Sequence, residues 1–264
     1  MPKSKGRKPK RSVTPRRATP RLTSSVVVAQ EVAVGRYRVR EARTREELAG
    51  FERWASIAGA GGPVLAAKLV SAHTDGILAQ GLRDPETSFG MLMSAVTGGD
   101  LDAVVWARSI ALVATLDGQV VGGAFVGPAA QFIADIAERH ELGTTAVMGA
   151  LLFTAKLHLV AVDDEHRGHG LGAALVRAAI TAAYRGGAEI LYGQYLTDDQ
   201  GLAQFYLRQG FTPVAAGKPM DFSQWLDGFP GGPAPLAGET FFYRLLTTTS
   251  TPAAPDQPPG ALRR

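Results

Sequence analysis

The chain contains no cysteine among its 264 residues. A disulfide framework, a thiolate metal site and a cysteine nucleophile are therefore excluded, and a reducing compartment is compatible. Long apolar runs are missing too. No stretch approaches the ~18 consecutive apolar residues that a membrane-spanning helix needs; the longest candidates, around Val147–Phe153 and Ala178–Ala183, are short and mixed. The basic amino terminus is not followed by an apolar segment, so it does not read as a secretory signal. A soluble, cytoplasmic protein without membrane contact is the expectation.

Acidic residues are absent from the first 22 positions, which carry nine Lys and Arg, and Arg263 and Arg264 end the chain. The formal charge is +4, but residues 23–262 hold 17 basic against 24 acidic side chains, a net of −7. The positive sum describes the ends and not the interior of the sequence. Residues 1–24 mix Lys, Arg, Pro, Ser and Thr with too few apolar side chains to offset the entropy of ordering them. They read as a disordered basic arm, and residues 248–264 as a disordered Pro-rich tail. Nucleic acid enters as a partner only through that arm; the competing reading of the arm is a solubilising extension.

Between the ends, strand and helix signals alternate across 36–247, which reads as one domain. Tyr37–Ala42 alternates as a strand. Thr44 offers a helix cap, with Glu46 and Glu47 in the first turn and Leu48, Phe51 and Trp54 at helical spacing. Helices are expected over Pro63–Gln80, Pro85–Ala95 and Pro128–Leu142. Asp117-Gly118 joins the β-rich runs Ser109–Leu116 and Gln119–Val126, a strong hairpin signal. Then follow strand Ala155–Val162, helix Leu171–Arg185, strand Glu189–Leu196, helix Gln200–Arg208, and strands Phe211–Ala215 and Thr240–Thr247. The class is α/β (α+β).

The stretch that carries chemistry runs from Leu157 to Phe211. A strand ends at Val162, a short loop follows, and Arg167-Gly168-His169-Gly170-Leu171-Gly172 opens an apolar helix. A glycine-rich turn at a helix start exposes backbone N–H groups where the helix dipole is positive, which suits a pyrophosphate. A Walker A loop is set aside because no Lys-Ser/Thr follows. The string Gly168–Ala173 satisfies G-x-G-x-x-A, but a dinucleotide fold would open on that fingerprint rather than carry it past the middle of the chain.

Arg-x-x-Gly-x-Gly after a strand ending in Ala-Val resembles the acyl-CoA signature of the GNAT superfamily of N-acetyltransferases. The later string Phe205-Tyr206-Leu207-Arg208-Gln209-Gly210-Phe211 resembles that superfamily's downstream motif, in the right order. The resemblance implies a mixed, mostly antiparallel, twisted sheet flanked by helices, with a splayed central strand pair and extra helices in the amino-terminal half. It implies acetyl-CoA as co-substrate, with no metal. It places the pyrophosphate on Arg167, Gly168, His169, Gly170, Leu171 and Gly172, and the pantetheine arm along the backbone of Val160, Ala161 and Val162. It gives Tyr206 the role of general acid to the departing thiolate. Members often carry Asn a few residues before the Phe-Tyr pair; the equivalent here is near Asp199, a further cofactor contact.

Members with a dedicated base often place Glu early on the central strand. Lys156 occupies that place, a poor base at neutral pH unless its pKa is strongly depressed. His158 lies two residues on, and its ordinary pKa near ~6.5 makes it the candidate base. His166 and His169 flank the turn, Asp163–Glu165 read as a solvated loop, and Gln194 and Tyr195 lie on the second splayed strand. Loop 217–238 is a candidate lid. The implied activity is acetyl transfer to a primary amine on a small molecule or peptide, and a homodimer is compatible. The −7 interior favours a cationic acceptor such as a polyamine, an aminoglycoside, lysine or a protein amino terminus. The alternative is a catalytically silent CoA-binding or nucleic-acid-associated module.

Overall fold

The computed structural model describes residues 29–60, 62–84, 86, 89–91, 93–94 and 101–246. The basic arm (1–24), the Pro-rich tail (248–264) and much of the expected helix over 85–95 lie outside the described residues. The chain folds around one eight-stranded sheet: β1 (Val32–Val34), β2 (Tyr37–Glu41), β3 (Ile110–Leu116), β4 (Gln119–Gly127), β5 (Thr154–Val162), β6 (Ile190–Leu196), β7 (Thr212–Pro213) and β8 (Glu239–Leu245). Their order is β1-β2-β3-β4-β5-β6-β8-β7. Every neighbouring pair is antiparallel except β5–β6. This is the mixed, mostly antiparallel sheet that the sequence implied. Asp117 and Gly118 both take positive φ, 49° and 86°, the pair of left-handed residues that a tight hairpin with right-twisted strands requires.

Side-chain alternation divides the interior into three cores. On one face, α8 (Leu171–Arg185) lays Leu171, Leu175, Val176 and Ala179 over Leu157, Val162 and Leu191. Opposite, Leu159 and Ala161 meet α1 (Arg45–Ala49), α2 (Phe51–Ile57) and α3 (Pro63–Thr74) through Leu48, Phe51, Trp54 and Leu69. Thr44 and Glu47 close a reciprocal capping box at the start of α1, as that segment's sequence predicts. The third core lies beside the second, around Tyr192 and Phe241. It collects α6 (Ala130–Arg139), α7 (Thr144–Phe153) and the anchors Met220, Phe222 and Phe229 of loop 217–238. α4 (Gln80–Arg83), α5 (Leu101–Ala107) and α9 (Gln200–Arg208) are further helices, and the described residues at 86, 89–91 and 93–94 are helical as well. Strand β1 and helix α7 were not expected from the sequence.

One buried cation ties these layers together. Arg108 is 6% exposed. It donates to the carbonyls of Leu151 (3.1 Å), Leu152 (2.5 Å) and Gly186 (3.0 Å). These carbonyls belong to the last turn of α7 and to the C-cap of α8, where helices leave acceptors unfilled. Burial lowers its pKa to about 10, which still leaves it charged at neutral pH. Arg108→Met strands three carbonyls, and at about 1 kcal/mol for each lost bond the urea midpoint should fall by the equivalent of about 3 kcal/mol. A midpoint within about 0.5 kcal/mol of wild type would mean the carbonyls find other donors.

Candidate active site

Strands β5 and β6 share only three rungs, Thr154↔Ile190, Ala155↔Leu191 and Lys156↔Tyr192. Beyond Lys156, β5 continues along β4 to Val162, while β6 continues along β8 to Leu196. The two strands therefore part and leave a wedge between them. A bulge sits at the parting: the β4 register passes from Phe125↔Leu159 to Val126↔Leu157, leaving His158 unpaired. The Asp163 amide donates to the Val121 carbonyl. By antiparallel alternation, the backbone groups of Asp163 and Ala161 face β4, while those of Val160 and Val162 face the wedge. These are the main-chain groups that an extended ligand arm would pair with.

The wedge leads to the glycine turn. Gly168 and Gly170 take φ of 79° and 80°, a left-handed conformation that only glycine adopts without cost. Gly170 starts α8 without a side-chain cap, so it offers no acceptor to the first-turn amides at Leu171–Ala173, which an α-helix leaves without intrahelical partners, at the positive end of a 15-residue helix. Arg167 folds back, with Nε on the Val162 carbonyl at 3.2 Å and the guanidinium on Asp164 at 2.8 Å. Asp163 pairs with Arg53 of α2 at 2.5 Å. His169 Nδ1 donates to the Arg167 carbonyl at 2.9 Å, and the Tyr37 hydroxyl meets His166 Nδ1 at 3.3 Å. Among the described residues, no three His, Asp or Glu side chains come together as a metal group.

Two sets of side chains flank the wedge on opposite faces. On the α8 face, Tyr206 of α9 is buried and stacked 3.9 Å from Phe242, with Tyr195, Phe205 and Phe211 around it. Desolvation raises its pKa above the ordinary tyrosine value. Asp199 caps α9, its carboxylate accepting from the Leu202 amide at 2.9 Å; it is exposed and its observed partner is that helix start. On the other face stand Lys156, His158, Gln194 and Glu239, all partly exposed. His158 Nε2 donates to the Gly127 carbonyl at 3.2 Å, and its ring lies 5.0 Å from Phe125. Burial and the neighbouring Lys156 charge push its pKa down to about 3, so it stays neutral near physiological pH and takes up a proton poorly. Burial likewise lowers Lys156 to about 8, with Glu239 acting in the opposite direction.

Residues 107–213 match the family described as an acetyltransferase (GNAT) domain. The match spans 107 of the 264 residues. The matched segment contains β3 to β7 with α6 to α9, and so holds the wedge, the glycine turn and Tyr206, whereas Glu239 lies beyond it. Among solved structures, the chain is similar to the GNAT domain of S. lividans PAT (16% identity, 83% of this chain and 97% of that one, TM-score 0.47). It is also similar to the ribosomal-protein-S18-alanine N-acetyltransferase of Escherichia coli (14%, 81% and 97%, TM-score 0.43). A third is a GNAT family acetyltransferase from Elizabethkingia anophelis with acetyl-CoA bound (13%, 55% and 82%, TM-score 0.35). None of the curated proteins matches the chain. Two residues beside the wedge carry no sequence signal: Phe132, inside the matched segment, and Glu239, beyond it. Neither belongs to a motif; the packing of α6 carries Phe132 to Lys156, and the β6–β8 ladder carries Glu239 to Gln194. No helix among the described residues is long and apolar enough to cross a membrane.

Proposed function

We propose that this chain is an N-acetyltransferase that moves the acetyl group of acetyl-CoA to a primary amine by direct attack. The observation that carries this is the wedge between β5 and β6, which ends on uncapped helix amides framed by Gly168 and Gly170. Those residues fit a pyrophosphate-bearing thioester: Arg167–Gly172 offer amides and one cation, and the inward-facing backbone of Val160 and Val162 offers the edge of a strand. When bound, acetyl-CoA supplies an activated acyl group, so no covalent nucleophile is asked of the chain.

Tyr206 donates its O–H toward the departing sulfur, and a β5 amide near Val162 donates to the developing oxyanion. His158 enters as a neutral hydrogen-bonding group that braces the bulge rather than as the base, because its basicity is suppressed. Asp199 contributes by holding the start of α9, and through it Tyr206, in place. Loop 217–238 forms a wall rooted by Met220, Phe222 and Phe229 in place of a hinged lid.

The test is thiol release from acetyl-CoA with a panel of primary amines, read together with CoA binding by calorimetry. The expected result is acetyl-CoA-dependent acylation of at least one amine class, with the product confirmed by mass spectrometry. CoA binding without transfer to any amine would leave a silent CoA-binding module; absence of CoA binding would remove the cofactor site itself.

A further inference from the structure

On the α6 side of the wedge, Lys156 has no ion-pair partner and Gln194 Oε1 no hydrogen-bond donor among the described residues. Lys156 stands on the last rung that β5 shares with β6. Its ammonium lies 4.4 Å over the ring of Phe132 and takes part in none of the ion pairs among the described residues. Gln194 lies two residues along the facing strand. Its Nε2 donates to Glu239 Oε1 at 2.9 Å. A carboxylate can only accept, so that contact fixes the amide orientation. The other end, Oε1, is thereby left buried with no donor. Glu239 also accepts from the Leu236 amide through Oε2 at 3.0 Å; it makes no ion pair with Lys156 and acts on it only at longer range.

The buried Gln194 oxygen carries a free-energy cost while it has no donor, and Lys156 is a partly buried cation with an aromatic face but no ion-pair partner beside it; they stand on the two strands whose parting forms the wedge. A ligand that satisfies both brings an anion for Lys156 and an N–H donor for Gln194. We propose that the amine acceptor is a free amino acid or a close analogue, bound with its carboxylate on Lys156 and its amino group on Gln194 Oε1. This rests on the acyltransferase reading above. A neutral amino group keeps its lone pair for the thioester carbonyl while one of its N–H bonds points at Gln194. The nitrogen–carbonyl bond forms as the carbon–sulfur bond breaks, and the proton lost by the nitrogen balances the thiol released. The ring of Phe132 gives the acceptor's side chain an apolar neighbour. The net −7 of residues 23–262 draws cations from a distance only, and beyond about 8 Å salt screens it at physiological strength; contact with Lys156 decides locally.

The experiment sets L-amino acids against the amines that lack only the carboxylate: leucine against 3-methylbutylamine, phenylalanine against 2-phenylethylamine. The full-length chain and acetyl-CoA are used. A charge-assisted hydrogen bond of ordinary strength corresponds to a kcat/KM preference of about 10- to 100-fold for the amino acid. Lys156→Met should collapse that ratio toward unity, mainly through the acceptor KM, and Lys156→Arg should retain it. Equal or better use of the decarboxylated amines by wild type overturns the proposal, as does a ratio that survives Lys156→Met in folded protein. Transfer to carboxylate-free amines alone overturns this proposal and leaves the acyltransferase reading standing. No transfer to any amine overturns both.

Discussion

Gly170→Glu should abolish most acetyl-CoA-dependent transfer while the chain stays folded. The position is exposed, and a Cβ built there meets only Val34 Cγ1, at 3.9 Å. Space is therefore not the obstacle. The positive φ costs a side-chain-bearing residue about 1–2 kcal/mol, which a domain of this size survives. The carboxylate would stand at the amide cluster proposed to receive the pyrophosphate. Two like charges about 4 Å apart at an effective dielectric near 20 repel by about 4 kcal/mol, roughly a 10³-fold loss in cofactor affinity. Gly170→Ala separates the two effects, because it keeps the backbone strain and omits the charge. It should keep the KM for acetyl-CoA within about tenfold of wild type, since only the strain remains. A Gly170→Glu protein with wild-type CoA affinity by calorimetry would show that the turn does not hold the pyrophosphate.

The turn was legible in the sequence because glycine is a local signal. Gly170 and Gly186 bracket Leu171–Arg185, and the helix occupies those bounds. Asp117-Gly118 announced its hairpin in the same way. Helix α7 was hidden because Thr144–Phe153 is apolar on nearly every side and shows no period. β1 is three residues long, too short to alternate visibly. The sequence placed β5 and β6 but not the rung at which they part; that rung depends on the bulge at His158 and on the ladder from β6 to β8. Basicity was the least legible property. His158 has the ordinary pKa of a good base and Lys156 that of a poor one, and burial moves them to about 3 and about 8. Desolvation is set by what packs around a group, and Phe125, Phe132 and Glu239 come from three separate segments. The same holds for loop 217–238. Its Pro and Gly residues suggested a lid, while Met220, Phe222 and Phe229 root it in the third core.

Tyr206→Phe should lower kcat by about 10²-fold and leave the KM for acetyl-CoA near its wild-type value. The substitution removes one O–H and keeps the ring, so the stack on Phe242 at 3.9 Å and the contacts with Tyr195 and Phe211 persist. The pKa fixes how that hydroxyl works. Desolvation raises it above the ordinary tyrosine value near ~10. The neutral, proton-bearing form is therefore the one present below that pH, and the donor is not lost as pH rises through the neutral and mildly alkaline range. An ordinary thiol has a pKa near ~8.5, so complete transfer of the proton from Tyr206 to the sulfur runs uphill by at least about 2 kcal/mol. Tyr206 then acts by holding a hydrogen bond to sulfur as the carbon–sulfur bond breaks, and its effect belongs to the transition state rather than to binding. The pH–kcat profile carries the same distinction. Its rising limb, set by the acceptor amine losing a proton, should keep its midpoint in the Phe variant while the plateau drops. An unchanged kcat, or a loss confined to the KM for acetyl-CoA, would make Tyr206 a packing residue of the α8 face and return the question of the proton donor to the wedge itself.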